Sequence, residues 1–319
     1  MNRREFLAGS AVLGTASVFA AASEPSCGVS ATSPANGMPK LSTPEKPAEL
    51  NLCLQWGAIP GGEMKEKLDF LEANGFAAVE IPSGQWVLDN AGKLQEAMKG
   101  RKLVVATACG PSDFSYADAA KRDAEVAKHM PVLEALGLLK SPGLILCPAR
   151  RKPELGLAEL REDFVTNTGK RLAEHAAKNG TSIVLEPLQR GETPFLRQVA
   201  DGARMAYDIG PGATVMGDFW HMSKEETSFM GAFISAGKLL SHVHIASLKS
   251  RKVPGMEPEV DNYVDGFKGL KLIGYRGAVS LEGGWPKMKD DPKKDVPQDE
   301  KIKLILNMVT LLRAQWAMA

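Results

Sequence analysis

From about residue 50 onward, short apolar runs alternate with longer amphipathic ones. The apolar runs are LNLCLQW (50–56), AAVEIP (77–82), KLVVATAC (102–109), GLILCPA (143–149), SIVLEPL (182–188), TVMGDFW (214–220), SHVHIAS (241–247) and AVSLEGG (278–284). They are short and nearly continuous in hydrophobicity, as strands covered on both faces of a parallel sheet must be. Between them lie segments with helical periodicity, such as MKEKLDFLEANG (64–75), DFVTNTGKRLAEHAAKNG (163–180) and EKIKLILNMVTLLRAQW (300–316). In the second of these, Phe164, Leu172 and Ala176 recur near the helical spacing and Gly180 supplies a stop. Eight strands alternating with eight helices predict an α/β protein with a single (β/α)8 barrel spanning 49–319. An open doubly wound sheet competes, but GAIPGGEM after the first strand is not the GxGxxG turn which that architecture uses for phosphates.

Polar residues interrupt the last four apolar runs at equivalent places. Glu186, Asp218, His244 and Glu282 each stand at or near a strand end, 32, 26 and 38 residues apart. Taken singly, each has an ordinary explanation: a salt-bridge partner, a helix cap for Asp218, a satisfied core histidine for His244. Taken together, they converge on the one barrel mouth to which all strand carboxyl ends point. Three carboxylates and an imidazole form a hard, oxygen-rich site for a divalent ion, manganese or magnesium before any thiolate-bound metal. His242 shares strand parity with His244, so both point inward. His129 and His175 lie on helical patterns and read as structural. Trp56, Trp86, Phe114, Trp220 and Trp285 lie near predicted strand ends, where they serve either packing or an apolar wall for a ligand.

Composition narrows the picture. The chain has 319 residues, 44% hydrophobic and 24% charged, with a formal net charge of +1. That balance points to a folded globular domain and away from nucleic acid as partner. Cys53, Cys109 and Cys147 are expected buried on strands, with weak support for a disulfide. The stretch 286–300, rich in Lys and Asp, reads as a solvated loop. At the amino terminus, Arg3-Arg4, then Phe6-Leu7, a mildly apolar stretch and small residues at Ala20–Ala22 resemble a twin-arginine export signal over 1–22. The stretch is too short for an ordinary membrane span. Residues 23–48, rich in Ser, Pro and Thr, read as a linker. Cys27 fits a lipid-attachment site poorly. An exported, periplasmic protein with no membrane span in its mature chain follows as the expectation.

The last 140 residues or so carry a resemblance. LEPLQRGET, DFWHM, HVHIASLKSRKVPG and IGYRGAVSLEG are similar to the corresponding segments of the xylose-isomerase-like superfamily of TIM barrels, above all its ketose 3-epimerase branch. The resemblance implies that Glu186, Asp218, His244 and Glu282 hold the metal, with Mn²⁺ placed ahead of Mg²⁺, Co²⁺ and Zn²⁺. It implies that His221 and Arg251 bind substrate oxygens, that Glu192 binds substrate or orients a neighbour, and that His242 is packed or supports the ligand histidine. The arginine follows the ligand histidine by seven residues where the family usually has six. Gln189 stands where Asn is common and Gly191 where an aromatic is common.

The chemistry expected of such a site is Lewis-acid stabilisation of an enediolate beside a carbonyl, with Glu186 and Glu282 moving a proton off one face of a carbon and onto the other. That makes the chain an isomerase, a carbohydrate epimerase or aldose–ketose isomerase, with a small carbohydrate as partner and room for a homo-oligomer. The same enediolate beside a leaving group would make it a lyase or dehydratase of keto-sugars, keto-glycosides or inosose-like polyols. An abasic-site endonuclease relative would need a trinuclear zinc cluster with more histidines than the five present. A non-catalytic sugar-binding barrel would have no use for both Glu186 and Glu282.

Overall fold

The computed structural model describes residues 46–150 and 152–319. The expected export signal and almost all of the expected linker lie outside them. Eight parallel strands close on themselves in sequence order, β8 pairing with β1. They are β1 (Asn51–Gln55), β2 (Ala78–Pro82), β3 (Val104–Cys109), β4 (Gly143–Leu146), β5 (Ile183–Leu185), β6 (Ala213–Asp218), β7 (Leu240–Ile245) and β8 (Ala278–Leu281). All eight fall on the apolar runs of the sequence. Their residues are buried almost throughout, with the strand interiors turned both to the barrel axis and to the helical layer.

Every strand is followed by helix, so the (β/α)8 architecture stands and the open doubly wound sheet is excluded. The helices are α1 (Met64–Ala73), α2 (Gln85–Ala97), α3 (Ala119–Leu138), α4 (Leu157–Asp163), α5 (Gly169–Lys178), α6 (Val199–Ile209), α7 (Phe219–Glu225), α8 (Phe229–Ala236), α9 (Val264–Leu272) and α10 (Gln298–Met318). Two crossovers differ from one helix per strand. Between β4 and β5, α4 runs into α5 through a π turn at Phe164–Thr168. The helical pattern at 163–180 is therefore the second half of a longer helix, with Phe164, Leu172 and Ala176 all fully buried. Between β6 and β7 the crossover is split: α7 ends at Glu225, and α8 begins at Ser228, whose hydroxyl caps Gly231 N–H. The core between barrel and helices is continuous and apolar, with Phe219 packed edge-on against Phe229, Phe233 and Tyr263. This rigid cluster sits directly behind the strand ends that carry the polar residues.

The three cysteines within the described residues are free: Cys53 and Cys147 buried, Cys109 half-buried. Phe114 is fully buried against Phe164 and His129, so it packs the core and does not face a sugar. Trp56, just after β1, and Trp86, in the first turn of α2, meet with tilted rings whose centroids are 5.0 Å apart. His129 pairs with Glu125 on its own helix, and His175 with Glu134 across two helices, as structural histidines do.

Candidate metal centre

Strand register brings the four polar residues together. Glu186 follows β5 immediately, its N–H bonded to Leu146 O. Asp218 ends β6 and stands opposite His244 of β7 in the ladder. Glu282 follows β8, its N–H bonded to Ile245 O. One ligand atom from each of Glu186, Asp218, His244 and Glu282 lies within 4.8 Å of the others. Asp218 uses its second oxygen as the helix cap of α7, accepting Trp220 N–H at 2.8 Å. The cap reading of Asp218 therefore holds for one oxygen and leaves the other turned to the common point.

The atoms turned toward the common point lack hydrogen-bond partners. Glu186 Oε1, Asp218 Oδ2 and His244 Nδ1 are all buried and all unsatisfied. Orphaned buried polar atoms cost about 1–3 kcal/mol each, and three aimed at one point, two of them carboxylate oxygens, suit a cation. The donor set of three carboxylates and one imidazole fits a divalent ion with a preference for oxygen. Without an ion, the electrostatics are strained. Burial, with the Glu282 charge adding to it, pushes Asp218 up to about 7. Burial likewise raises Glu186. Against its own burial, the His244 and Arg251 charges hold Glu282 down at about 2.

A residue the sequence reading did not single out underpins the centre. Glu80, the lone acid of β2, is buried at 1% exposure. Its Oε2 accepts from His242 Nε2 at 2.7 Å and from His244 Nε2 at 2.9 Å, and its Oε1 accepts from Gln55 Nε2 at 2.8 Å. Thr107 Oγ1 donates to the same carboxylate at 3.2 Å. Despite burial, which opposes ionisation, the two histidines keep the Glu80 carboxyl well below the usual carboxylate range. An ionised Glu80 accepts the Nε2–H of His244 and so leaves Nδ1 turned toward Glu282 and Glu186, 3.1 and 3.7 Å away. A carboxylate behind a ligand histidine fixes its tautomer and raises its basicity. The available signal was an acid inside AAVEIP, a run with no polar alternation to excuse it. His242 is thus a second inward histidine sharing the support of His244.

The remaining residues form a rim. Gln189 N–H donates to His221 Nδ1 at 3.1 Å, so the ring carries its proton on Nε2. Burial, with Arg251 adding, pushes His221 down to about 3, which leaves it a neutral donor. Its Nε2 lies 3.4 Å from Asp218 Oδ2. Arg251 reaches over the centre: Nη2 donates to Glu282 at 2.9 Å and Nη1 to Glu192 at 3.5 Å, while the guanidinium lies 4.5 Å from the Trp220 ring. Glu192 also accepts from Gln189 Nε2 at 3.3 Å. All seven residues singled out in the sequence therefore fall in one cluster. Behind Glu186, the Cys147 thiol donates to Oε2 at 3.4 Å.

The strain on Asp218 gives a testable sign. Its folded pKa lies above its ordinary value of 3.8, so the folded chain binds a proton that the unfolded chain has lost. Stability therefore drains as pH rises from about 4 through 7. In chelator-treated protein, Asp218→Asn should raise the melting temperature at pH 8 by a few degrees, roughly what 1–2 kcal/mol gives a domain this size. The gain should shrink toward pH 4. A gain independent of pH would assign the effect elsewhere.

Residues 68–305 match the family described as xylose isomerase-like TIM barrel. A 3-dehydro-D-guloside 4-epimerase of Escherichia coli is 31% identical over 229 residues, covering 68% of this chain and 86% of that protein. An L-ribulose 3-epimerase of a Methylomonas species is 32% identical over 164 residues, covering 51% of this chain and 56% of its own length. Among solved structures, the apo 3-keto-D-glucoside 4-epimerase of E. coli superposes with a TM-score of 0.71 at 26% identity, covering 83% of this chain and all of that one.

Proposed function

The chain belongs to the xylose isomerase-like TIM-barrel family, and on that premise we propose that it is a divalent-metal-dependent epimerase of keto-sugars. The observation that carries the reading is the set of three buried, unpartnered ligand atoms, on Glu186, Asp218 and His244, turned to one point that Glu282 also faces. Manganese suits the donor set best, ahead of magnesium, cobalt and zinc. Glu186, Asp218, His244 and Glu282 would hold the ion, which would supply Lewis acidity to the substrate carbonyl.

The protein's own groups supply the rest. Glu186 and Glu282 approach from β5 and β8, three strands apart around the barrel. One takes the proton from the carbon next to the carbonyl and the other returns a proton to the opposite face, which inverts that carbon. His221 offers a neutral Nε2–H and Arg251 a charged fork, both suited to substrate oxygens. Glu192 steadies Arg251 from the rim. The named activities of the relatives, epimerisation of a ketose at carbon 3 and of a 3-keto-glycoside at carbon 4, both act beside a carbonyl, and the same chemistry serves both.

The test is metal analysis of the purified protein, then incubation with D-fructose, D-psicose and a 3-keto-glucoside in D₂O. One divalent ion per chain and deuterium at the inverted carbon are expected. Absence of both a bound ion and any exchange would sink the proposal, and release of water or an aglycone would convert it to a lyase. We also propose that residues 1–22 act as a twin-arginine signal and 23–48 as a linker to the barrel. Replacing both Arg3 and Arg4 with Lys should hold the protein in the cytoplasm on cell fractionation. Undiminished periplasmic accumulation would remove the signal.

A further inference from the structure

Arg251 adopts a left-handed backbone, φ 55°, and is one of two non-glycine residues to do so among those described. A residue with a Cβ holds that conformation only where its surroundings over-determine it. The loop after β7 shows what does so. Arg251 N–H bonds to Ser247 O at 3.0 Å, Ser247 N–H to Lys252 O at 2.8 Å, and Gly284 N–H to Arg251 O at 2.8 Å. Gly283 allows that approach, since a Cβ there would meet Lys252 O at 2.8 Å.

The two ends of the loop are tied by one buried carboxylate. Asp261, 1% exposed, accepts Leu248 N–H on Oδ1 at 3.1 Å and Gly255 N–H on Oδ2 at 2.7 Å. Its donors lie three residues before and four residues after Arg251, so the carboxylate spans the segment that presents the guanidinium. Asp261 is in turn fixed from α10: Gln315 donates Nε2–H to Asp261 O at 2.7 Å and accepts Tyr263 N–H at 2.7 Å. Asp261 makes none of the contacts described for the metal centre.

We infer that Asp261 is a positioning residue, which holds the loop 248–255 so that Arg251 reaches the substrate. The inference rests on the reading that Arg251 binds a substrate oxygen. An alanine at 261 frees the Leu248 and Gly255 N–H groups and leaves the left-handed turn held by its own backbone bonds alone. The guanidinium then loses its fixed approach over Glu282 and Trp220, while the four metal ligands keep their strands.

The experiment is a double-mutant cycle on the manganese-loaded full chain, using whichever of D-fructose, D-psicose or a 3-keto-glucoside it turns over. Arg251→Ala should raise KM on the order of tenfold or more, as loss of a charged hydrogen bond does. Asp261→Ala should reproduce most of that rise, with Asp261→Asn intermediate because it keeps one acceptor oxygen. Adding Asp261→Ala to Arg251→Ala should have little further effect, the mark of a residue acting through the other. Manganese affinity of the Asp261 variants, followed by electron paramagnetic resonance, should stay within about threefold of the parent, well short of the loss that disturbing a ligand's support produces. If Asp261→Ala does not fold, Gln315→Ala carries the same test with a smaller rise in KM. An unchanged KM in Asp261→Ala, or additive effects in the double variant, would overturn the inference. An unchanged KM in Arg251→Ala would remove its premise, and turnover of no substrate would sink the epimerase reading beneath both.

Discussion

Glu186→Gln, assayed at saturating manganese, should lose solvent-deuterium exchange into substrate by about 10²–10⁴-fold, the usual worth of a positioned acid/base group, while its melting temperature in the metal-bound state changes little. Glutamine keeps an oxygen that can face the ion, so occupancy at saturating metal is retained and the loss falls on proton transfer. Its amide N–H₂ then stands in place of Oε2 and can donate to the Cys147 sulfur, 3.4 Å from the carboxylate in the parent. Glu282→Gln should show the companion defect, blocking the proton on the other face. The pair separates an epimerase with two bases from one in which a single carboxylate carries the proton both ways. In the second case only one of the two variants would lose exchange, and the assignment of roles would have to be redrawn around that residue.

Glu80→Gln should weaken manganese binding by about 10–100-fold, the range for removing a carboxylate behind a ligand histidine. A glutamine keeps one oxygen that can accept from His242 and His244 as Oε2 does, but it lacks the negative charge that holds both rings. Its amide N–H₂, standing in place of Oε1, meets two donors, Gln55 Nε2 and His244 Nε2. One of the buried histidines is then free to turn, and Nδ1 of His244 no longer faces the ion in a single tautomer. Metal and proton compete for that nitrogen, since ligands bind metal only when deprotonated. Against burial, the charges of Glu80 and Glu282 hold the His244 imidazolium well above the ordinary histidine range. Affinity for manganese should therefore rise with pH in the parent, and this dependence should flatten in Glu80→Gln. Calorimetric titration at several pH values measures both. Parent-like affinity and slope in the variant would make Glu80 a core residue with no bearing on the ion.

The barrel was legible because parallel strands covered on both faces leave nearly continuous apolar runs, and all eight such runs hold strands. The strands themselves are shorter than the runs. SIVLEPL holds only Ile183–Leu185 as strand, since ladder pairing stops where the chain turns out to the mouth. The four candidate ligands were legible because each breaks an apolar run at the same relative place. Glu80 and Asp261 were not singled out for the opposite reason. Glu80 meets a histidine 162 residues away on another strand, and Asp261 meets backbone N–H groups 13 and 6 residues back in its own loop, and no residue pattern encodes either meeting. The split crossover of α7 and α8 escaped because Glu225 and Glu226, which end the first helix, look like any exposed helical pair. In the structure Glu225 binds Arg190, and Glu226 accepts the Val199 N–H at the head of α6. The π turn in the fourth crossover likewise leaves no mark in a pattern that stays helical on both sides of it.

The bonds from Glu80 to the two histidines cross the barrel interior from the second strand to the seventh, within a cylinder shut by the pairing of the first strand with the eighth. A chain still emerging from the ribosome, or one cut into half-barrels, has neither the crossing nor the seam and so cannot grip an ion tightly. On the proposed reading, loading would be a property of the finished cylinder alone. Any ion that binds it adds to the work of opening the seam, so metal supply should govern how long the protein survives proteolysis as well as how fast it turns over.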